Sequence, residues 1–149
     1  MKRRFNIRGA ADEPAMILDK ISVRNQRLVY VAVANKAVSY PEGKSPILYI
    51  GTTKKGVGRI ASSAAHRASQ IFEIRGVGEV KFYVLTCKGR QKVVKAWHKL
   101  ERALILRFRE LYGSPPRCNK QGVGMRWRDE RDYFRAAGLA RTLRKLEDR

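Results

Sequence analysis

The sequence has little cysteine or histidine and no long apolar run. Its 149 residues include two cysteines, Cys87 and Cys118, and two histidines, His66 and His98. The cysteines lie far apart and show no C-x-x-C spacing, which argues against a zinc site and a disulfide framework and favours a reducing compartment. No segment approaches the roughly 18 apolar residues of a membrane span, and the N-terminal residues lack a signal-peptide core. We therefore expect a soluble protein that does not bind membranes and is cytoplasmic, or nuclear or organellar in a eukaryote.

Acidic residues are also scarce, at 13 Asp and Glu against 33 Lys and Arg, which gives a formal net charge of +20. Such an excess of positive charge indicates a polyanionic partner, and nucleic acid is the first candidate. Binding to a membrane surface would favour one amphipathic helix with its charge on one side, whereas here the basic residues recur from Lys2 to Arg149. The length suits a single domain, 1–149.

The hydrophobic pattern predicts the element order strand, strand, helix, strand, helix, followed by a further helix near the C-terminus. We expect strands at 28–34, 47–53 and 79–87, a loop at 40–46, and helices from near 57, from about 91 to 112 and at 129–149. The first two strands and the loop between them suggest a hairpin. We assign no element to residues 15–27.

Two strand tyrosines are the first candidate site residues. Strand alternation places Tyr30 on one face of the first strand and puts Ile47, Tyr49 and Gly51 on a common face of the second. If the two tyrosine faces coincide, both phenols stand among small residues, where a cleft can open. The alternative is that the tyrosines pack beneath a helix with their hydroxyls satisfied.

The long helix carries one acidic residue in an otherwise apolar stripe. At helical spacing Glu101 falls among Trp97, Leu100, Leu104, Ile105 and Phe108. An ionised carboxylate in an apolar setting costs several kcal/mol unless a cation, a metal or hydrogen-bond donors meet it. Two interpretations follow: Glu101 pairs with a neighbouring arginine, or it binds a metal ion.

Basic residues cluster at three places. Lys54, Lys55 and Arg59 surround the start of the first helix, where free N–H groups attract phosphate, although the lysines could simply solvate a loop. Lys92, Lys95, Lys99 and Arg102 form one side of the long helix, which we interpret as solvent-exposed. Arg128, Arg131 and Arg135 recur at helical spacing beside Trp127 and Tyr133, a combination that suits contact with a nucleic-acid backbone as well as a solvated face.

Several of these residues occur in an order that resembles the GIY-YIG nuclease family. Tyr30 lies in VYV, Tyr49 begins the tripeptide YIG, Arg59 follows Tyr49 by ten residues, Glu101 lies in a helix, and Asn119 lies in PRCNKQG. The resemblance runs from about 28 to 122. It departs from the family where the first motif reads LVY instead of GIY, and where the loop around YPEGKSP lengthens the gap between motifs. Neither departure removes a catalytic group.

The resemblance implies an α/β (α+β) nuclease domain with a small antiparallel three-stranded sheet flanked by helices. The nuclease-like core would span about 28–122, with an N-terminal extension, 1–27, and a basic C-terminal helical extension, 123–149. It also implies a metal-dependent endonuclease that hydrolyses DNA phosphodiester bonds with one Mg²⁺ or Mn²⁺, held largely by Glu101 and by phosphate oxygens.

Individual roles follow from the same resemblance. Tyr30 would take part in activating the water and Tyr49 would orient water or phosphate, while Arg59 would grip the scissile phosphate. Asn119 would steady the site or the DNA, and Gly51 belongs with it to the expected nucleic-acid contacts. Many family members carry a His or Tyr one turn after the arginine. Here that position is Ser63, and His66 is the candidate substitute.

Two other classes of function remain open from the sequence. One is a non-catalytic nucleic-acid-binding protein on a nuclease-like scaffold, and the other is a basic structural protein. The preference for DNA comes from the resemblance alone, and RNA is not excluded. A homodimer or a larger DNA-processing complex would also be compatible with the sequence.

Overall fold

A computed structural model describes residues 27–87 and 95–149 as an α+β fold. The strands are β1 (Leu28–Tyr40), β2 (Gly43–Thr53) and β3 (Val80–Leu85), and the helices are α1 (Val57–Phe72), α2 (Ala96–Tyr112), α3 (Glu130–Tyr133) and α4 (Ala136–Glu147). The strands form one antiparallel sheet in the order β2-β1-β3. The expected three-stranded antiparallel sheet flanked by helices is confirmed. Expectations for 1–26 and 88–94, including a helix start near Gln91, lie outside the described residues.

The β1–β2 connection is shorter than expected. Tyr40 pairs with Gly43, so the turn consists of Pro41 and Glu42 alone, and the expected loop at 40–46 is wrong. Proline fixes its own backbone angle and suits a turn. The backbone N–H of Glu42 donates to the carbonyl of Tyr112 at 3.1 Å, which anchors the turn to the end of α2. Both strands therefore extend past the hydrophobic segments that signalled them.

A bulge in β2 decides which side chains share a face. Ala32 pairs with Tyr49 but Val33 pairs with Ile47, so Leu48 is an extra residue in the ladder. The expectation that Ile47 shares a face with Tyr49 is wrong, because the bulge shifts the alternation by one residue. The predicted coincidence of the two tyrosine faces is confirmed, since the rings of Tyr30 and Tyr49 lie 5.8 Å apart.

Helices cover both faces of the sheet. On one face, side chains from α2 and α4 pack against Val29, Val31 and Val33. On the other, Ile60 and Ile71 of α1 pack with the tyrosines. The central strand is consequently buried along 28–34. Among the described residues, no helix is long and apolar enough to pass through a membrane.

The C-terminal segment is not the single helix expected at 129–149. Phe134 is extended, with φ −130° and ψ 124°, and Arg135 follows at φ −73° and ψ 137°. The break redirects the chain so that Leu139, Leu143 and Leu146 of α4 reach the main core. Burial of these apolar side chains outweighs helical continuity.

The end of α4 is also tied to the sheet by a polar contact. The carboxylate of Glu147 accepts hydrogen bonds from the Ser45 hydroxyl at 2.6 Å and from the Tyr112 hydroxyl at 2.7 Å. One side chain thereby links α4, β2 and α2. Residues 123–149, which we expected to extend a separate core, supply part of the main core themselves.

Candidate active site

Tyr49 lies between an arginine and a glycine. The guanidinium carbon of Arg67 stands 3.8 Å from the centre of the Tyr49 ring, and Nη2 donates to the phenol oxygen at 3.1 Å. The hydroxyl edge of the ring lies against Gly51, where an added Cβ would lie 2.5 Å from a ring carbon and 2.7 Å from the phenol oxygen. The missing side chain of Gly51 therefore makes room for Tyr49, and its expected contact with nucleic acid stays a prediction.

The environment of Tyr49 keeps its hydroxyl protonated. Burial, above all, raises its pKa to about 12, and Tyr30 and Glu101 also raise it, while Arg67 acts in the opposite direction. At neutral pH the phenol can therefore donate a hydrogen bond but cannot act as a base. Tyr30 is 3% exposed, and its ring also lies beside that of Phe82, at 6.3 Å between centres.

Glu101 is buried at 9% exposure and is held by neutral donors. Gln121 Nε2 donates to Oε1 at 3.2 Å, and the Thr52 hydroxyl lies 3.4 Å from Oε2. Arg102, the adjacent arginine, directs its guanidinium to Glu130 instead. Within 27–87 and 95–149, no Lys or Arg forms an ion pair with Glu101. Pairing with an arginine from these ranges therefore does not explain why a carboxylate lies in the apolar stripe.

Among the described residues, a histidine one turn earlier on α2 is a close titratable neighbour of Glu101. His98 Nδ1 lies 3.8 Å from Glu101 Oε2. Burial, with Lys54 and Lys95, lowers the pKa of His98, so at neutral pH the imidazole supplies no positive charge to the carboxylate. Burial raises the pKa of Glu101, and the hydrogen bonds from Gln121 and Thr52 partly counter that rise.

The donors at this position fit a weakly held divalent cation. In the part of the chain that the structure describes, no three His, Cys, Asp or Glu side chains converge, so a closed metal site is absent there. A buried carboxylate with no Lys or Arg ion-pair partner among the described residues, and with an imidazole beside it, still offers oxygen and nitrogen ligands. Mg²⁺ commonly takes one or two carboxylates and completes its shell with water and phosphate oxygens.

The two α1 candidates are exposed. Arg59 and His66 are seven residues apart, which puts them on the same side of α1 about two turns from each other. The described residues record no side-chain hydrogen bond or ion pair for either of them. The structure therefore does not bring Arg59 or His66 into direct contact with Tyr49 or Glu101, and it leaves both accessible from solvent.

Asn119 was expected to steady the site or the DNA, and its side chain bonds to the backbone of Ile50, between Tyr49 and Gly51. Its Oδ1 accepts from the backbone N–H of Ile50 at 2.9 Å, and its Nδ2 donates to the Ile50 carbonyl at 2.8 Å. The next peptide contributes as well, since Cys118 N–H donates to the Leu48 carbonyl at 2.8 Å. These bonds satisfy backbone groups along the outer edge of β2, and they occupy the side-chain amide of Asn119.

The remaining expected nucleic-acid contacts are spread over two surfaces. Lys54 and Lys55 are exposed just beyond β2, and Lys54 is near enough to His98 to lower its pKa. Arg128 and Arg135 are exposed as well, but the helix break before Arg135 removes the common helical stripe that we expected. Arg131 is partly engaged: it lies 4.7 Å from the Trp127 ring centre and 3.2 Å from Glu110.

The basic side of α2 is not the solvated face that we expected. The guanidinium of Arg102 forms an ion pair with Glu130, whose side chain is 1% exposed, and also donates to the Arg126 carbonyl at 2.8 Å. Lys99 pairs with Asp129. This side of the helix holds the 126–133 segment in place, whereas Lys92 lies outside the described residues.

Sequence reasoning missed several residues around the site. Arg67 could have been found, because it continues the sheet-facing stripe of Ile60 and Ile71 at helical spacing, as Glu101 does on its own helix. His98 is one turn from Glu101 and carried a similar signal. Thr52 and Gln121 meet Glu101 only through the tertiary fold, and no local pattern pointed to them.

No family model matches the chain, and neither a curated protein nor a solved structure matches it. Function is therefore argued from the side chains themselves.

Proposed function

We propose that this protein is a metal-dependent endonuclease that hydrolyses DNA phosphodiester bonds at the site containing Tyr30, Tyr49 and Glu101. The observation that carries the proposal is the environment of Glu101, which is buried, held by Gln121 and Thr52, and recorded without a cationic partner in the described residues. The order of these residues, which resembles that of GIY-YIG nucleases, gives further support.

A buried carboxylate without a counterion lowers the stability of a fold, so its presence calls for a compensating role. Binding Mg²⁺ or Mn²⁺ would supply that compensation. Glu101 would hold the ion, and phosphate oxygens would complete the shell. When bound, the ion would neutralise charge on the phosphoryl oxygens and on the leaving oxygen.

The chain's own residues would orient the reactants. Arg59, exposed on α1, would grip the scissile phosphate through its fork of donors. Tyr49, whose pKa of about 12 keeps it protonated, would donate to water or phosphate and fix its orientation. Tyr30 would take part in positioning and activating the water. As the water oxygen bonds to phosphorus, the bond to the leaving sugar oxygen breaks, and the proton that the water gives up reaches that oxygen by way of solvent.

DNA is the proposed partner, and the formal charge of +20 supports binding to its backbone. Exposed cations lie beside the site at Lys54 and Lys55 and elsewhere at Arg128 and Arg135. This distribution would hold a duplex by its phosphates without reading base sequence.

The proposal is tested by incubating supercoiled plasmid with the purified protein in Mg²⁺, in Mn²⁺ and in chelator, beside Glu101→Ala. We expect nicking or linearisation in either metal, none in chelator, and none with Glu101→Ala, although a gel shift with that variant shows normal binding. Strong binding without cleavage of plasmid, branched DNA or RNA under any metal would reject the endonuclease.

The second candidate is a nucleic-acid-binding protein without catalysis. The observation that favours it is the hydrogen bond from Arg67 to the Tyr49 oxygen, which holds the phenol in place without substrate. A pure binder would keep its affinity and its salt dependence in Glu101→Ala and would show no metal requirement. The plasmid experiment separates the two functions, because only an endonuclease changes plasmid topology.

A further inference from the structure

We propose that His98 is a second protein ligand of the divalent cation at Glu101, so that the site holds its metal through one nitrogen and one oxygen. The inference rests on the metal site of the proposed function and deepens it. It predicts that the site prefers Mn²⁺ over Mg²⁺, a preference that a site with a single carboxylate ligand would lack.

The spacing of the two side chains suits a shared cation. His98 and Glu101 are three residues apart on α2, and helical residues at this spacing are neighbours on one face. Bonds from a divalent metal to imidazole nitrogen and carboxylate oxygen are each about 2.0–2.2 Å long, so two of them span up to about 4.4 Å. The observed separation of 3.8 Å between Nδ1 and Oε2 lies within that reach. One ion can therefore contact both atoms without movement of the helix backbone.

The surrounding hydrogen bonds leave the facing atoms accessible. Gln121 binds Oε1 of Glu101, which fixes the carboxylate and leaves Oε2 turned towards His98, with the Thr52 hydroxyl as its only other close partner recorded among the described residues. The His98 side chain is 43% exposed, and in the same ranges its ring has no recorded hydrogen bond. A cation can thus approach from solvent, and a phosphate that binds with it would offset the positive charges of Lys54 and Lys95, which lie close enough to His98 to lower its pKa.

A nitrogen ligand changes which metal is held best. Carboxylate and water suit Mg²⁺, whereas imidazole favours first-row transition metals, whose affinities rise from Mn²⁺ through Co²⁺. With His98 as a ligand, the site should prefer Mn²⁺ over Mg²⁺. Glu101 alone would give little such preference.

The experiment is electron paramagnetic resonance of Mn²⁺ bound to the full chain, in which a directly bound imidazole gives a nitrogen hyperfine coupling. The chain has two histidines, so the His66→Ala variant is the matched control. We expect the coupling in the wild type and in His66→Ala and its loss in His98→Ala, with Mn²⁺ affinity lower by about tenfold or more in the last. His98→Asp should restore binding without the nitrogen coupling and shift the preference towards Mg²⁺.

Three results would overturn the inference: no bound Mn²⁺ at millimolar concentration, no nitrogen coupling in the wild type, or a coupling that persists in His98→Ala. Unfolding measured without metal checks that each variant is folded, and His98→Asp tests the ligand role even if His98→Ala is unstable. The experiment distinguishes a failure of this inference from a failure of the proposed function. Nitrogen coupling without DNA cleavage would reject the endonuclease function and support His98 as a metal ligand. Cleavage that needs Glu101, without nitrogen coupling, would support the endonuclease function and reject His98 as a ligand.

Discussion

The guanidinium of Arg67 stacks on the ring of Tyr49 and donates to its hydroxyl, at 3.8 Å and 3.1 Å respectively. Its other terminal nitrogen donates to the Cys118 carbonyl at 3.1 Å, so one side chain ties α1 to β2 and to the segment along the edge of β2. With Gly51 against the hydroxyl edge of the ring, the phenol is fixed before any ligand binds. A site assembled in this way loses little entropy when it orients a substrate.

Substitution of Gly51 should disturb Tyr49 selectively. In Gly51→Ala the new Cβ would lie 2.5 Å from a Tyr49 ring carbon, so the ring must move away from its place under Arg67. We expect a loss of about 1–3 kcal/mol in the free energy of unfolding, typical of overpacking, together with a reduced cleavage rate. Denaturant unfolding and plasmid cleavage measure the two effects.

Gly138→Ala is the matched control, because an added Cβ there meets nothing within 4 Å and the position is helical. It should raise the free energy of unfolding by about 0.5–1 kcal/mol. Equal effects of the two substitutions would show that Tyr49 does not depend on the space at Gly51.

The ion pair between Arg102 and Glu130 should be a major source of stability for the C-terminal segment. Removing the guanidinium in Arg102→Ala leaves a carboxylate that is 1% exposed without its partner, which should cost about 3–5 kcal/mol. Lys99→Ala breaks a pair with the exposed Asp129, whose charge water also solvates, and should cost much less. Urea unfolding of the two variants compares them directly, and similar losses would contradict the assigned burial of Glu130.

The buried Glu101 should make stability depend on pH in an unusual direction. Burial raises its pKa above the ordinary value of 4.5, so the folded state favours the protonated form. The carboxyl therefore contributes stability fully below about pH 4.5, and that contribution is lost as the pH rises through the folded-state pKa. Glu101→Gln, which stays neutral, should be more stable than the wild type at neutral pH, and the difference should vanish below pH 4.5. Chemical unfolding across this range would contradict the raised pKa if Glu101→Gln were the less stable protein at neutral pH.

Much of the sheet could be predicted because its side chains follow local rules. β-branched residues marked the hydrophobic part of β1, and strict alternation placed Tyr30 correctly. The prediction that Ile47 shares a face with Tyr49 failed because of the bulge at Leu48. The bulge depends on the register between β1 and β2, and no residue type in β2 signals it. Prediction failed again at Phe134, where burial of the α4 leucines interrupts a segment with helical propensity.

The sequence predicted the main residues of the candidate site, but it did not predict which residues contact them. Glu101 stood out because a carboxylate in an apolar stripe violates the helical pattern. Its contacts with Thr52 and Gln121 span 49 and 20 residues, and separations of that size leave no periodic signal. Asn119 was noticed by its motif, yet its bonds to the Ile50 backbone could be seen only once the strand edge was in place.

Exposed arginines outside the site should contribute to DNA affinity without affecting sequence preference. Arg128→Gln and Arg135→Gln should each reduce affinity and lower the slope of log affinity against log salt by about 0.9 for each phosphate that the variant no longer neutralises. Lys81→Gln removes an exposed cation that already pairs with Glu79 at 3.5 Å, and it should leave the slope unchanged. Fluorescence anisotropy at several salt concentrations measures these slopes. Identical slopes for all three variants would show that DNA affinity depends on the net charge of the protein and not on the positions of Arg128 and Arg135.

The most direct test of the central claim is the initial rate of plasmid nicking by Glu101→Gln, relative to wild type, at equal fractions of DNA bound. Glutamine keeps the size of the side chain and one oxygen that can accept from Gln121, and its NH2 group can donate to the Thr52 hydroxyl, so the charge is lost with little change in packing. We expect a rate lower by on the order of 100-fold or more, in a protein that binds DNA normally and is more stable at neutral pH. A Glu101→Gln variant that nicks plasmid at the wild-type rate would contradict a metal-binding role for this carboxylate in cleavage.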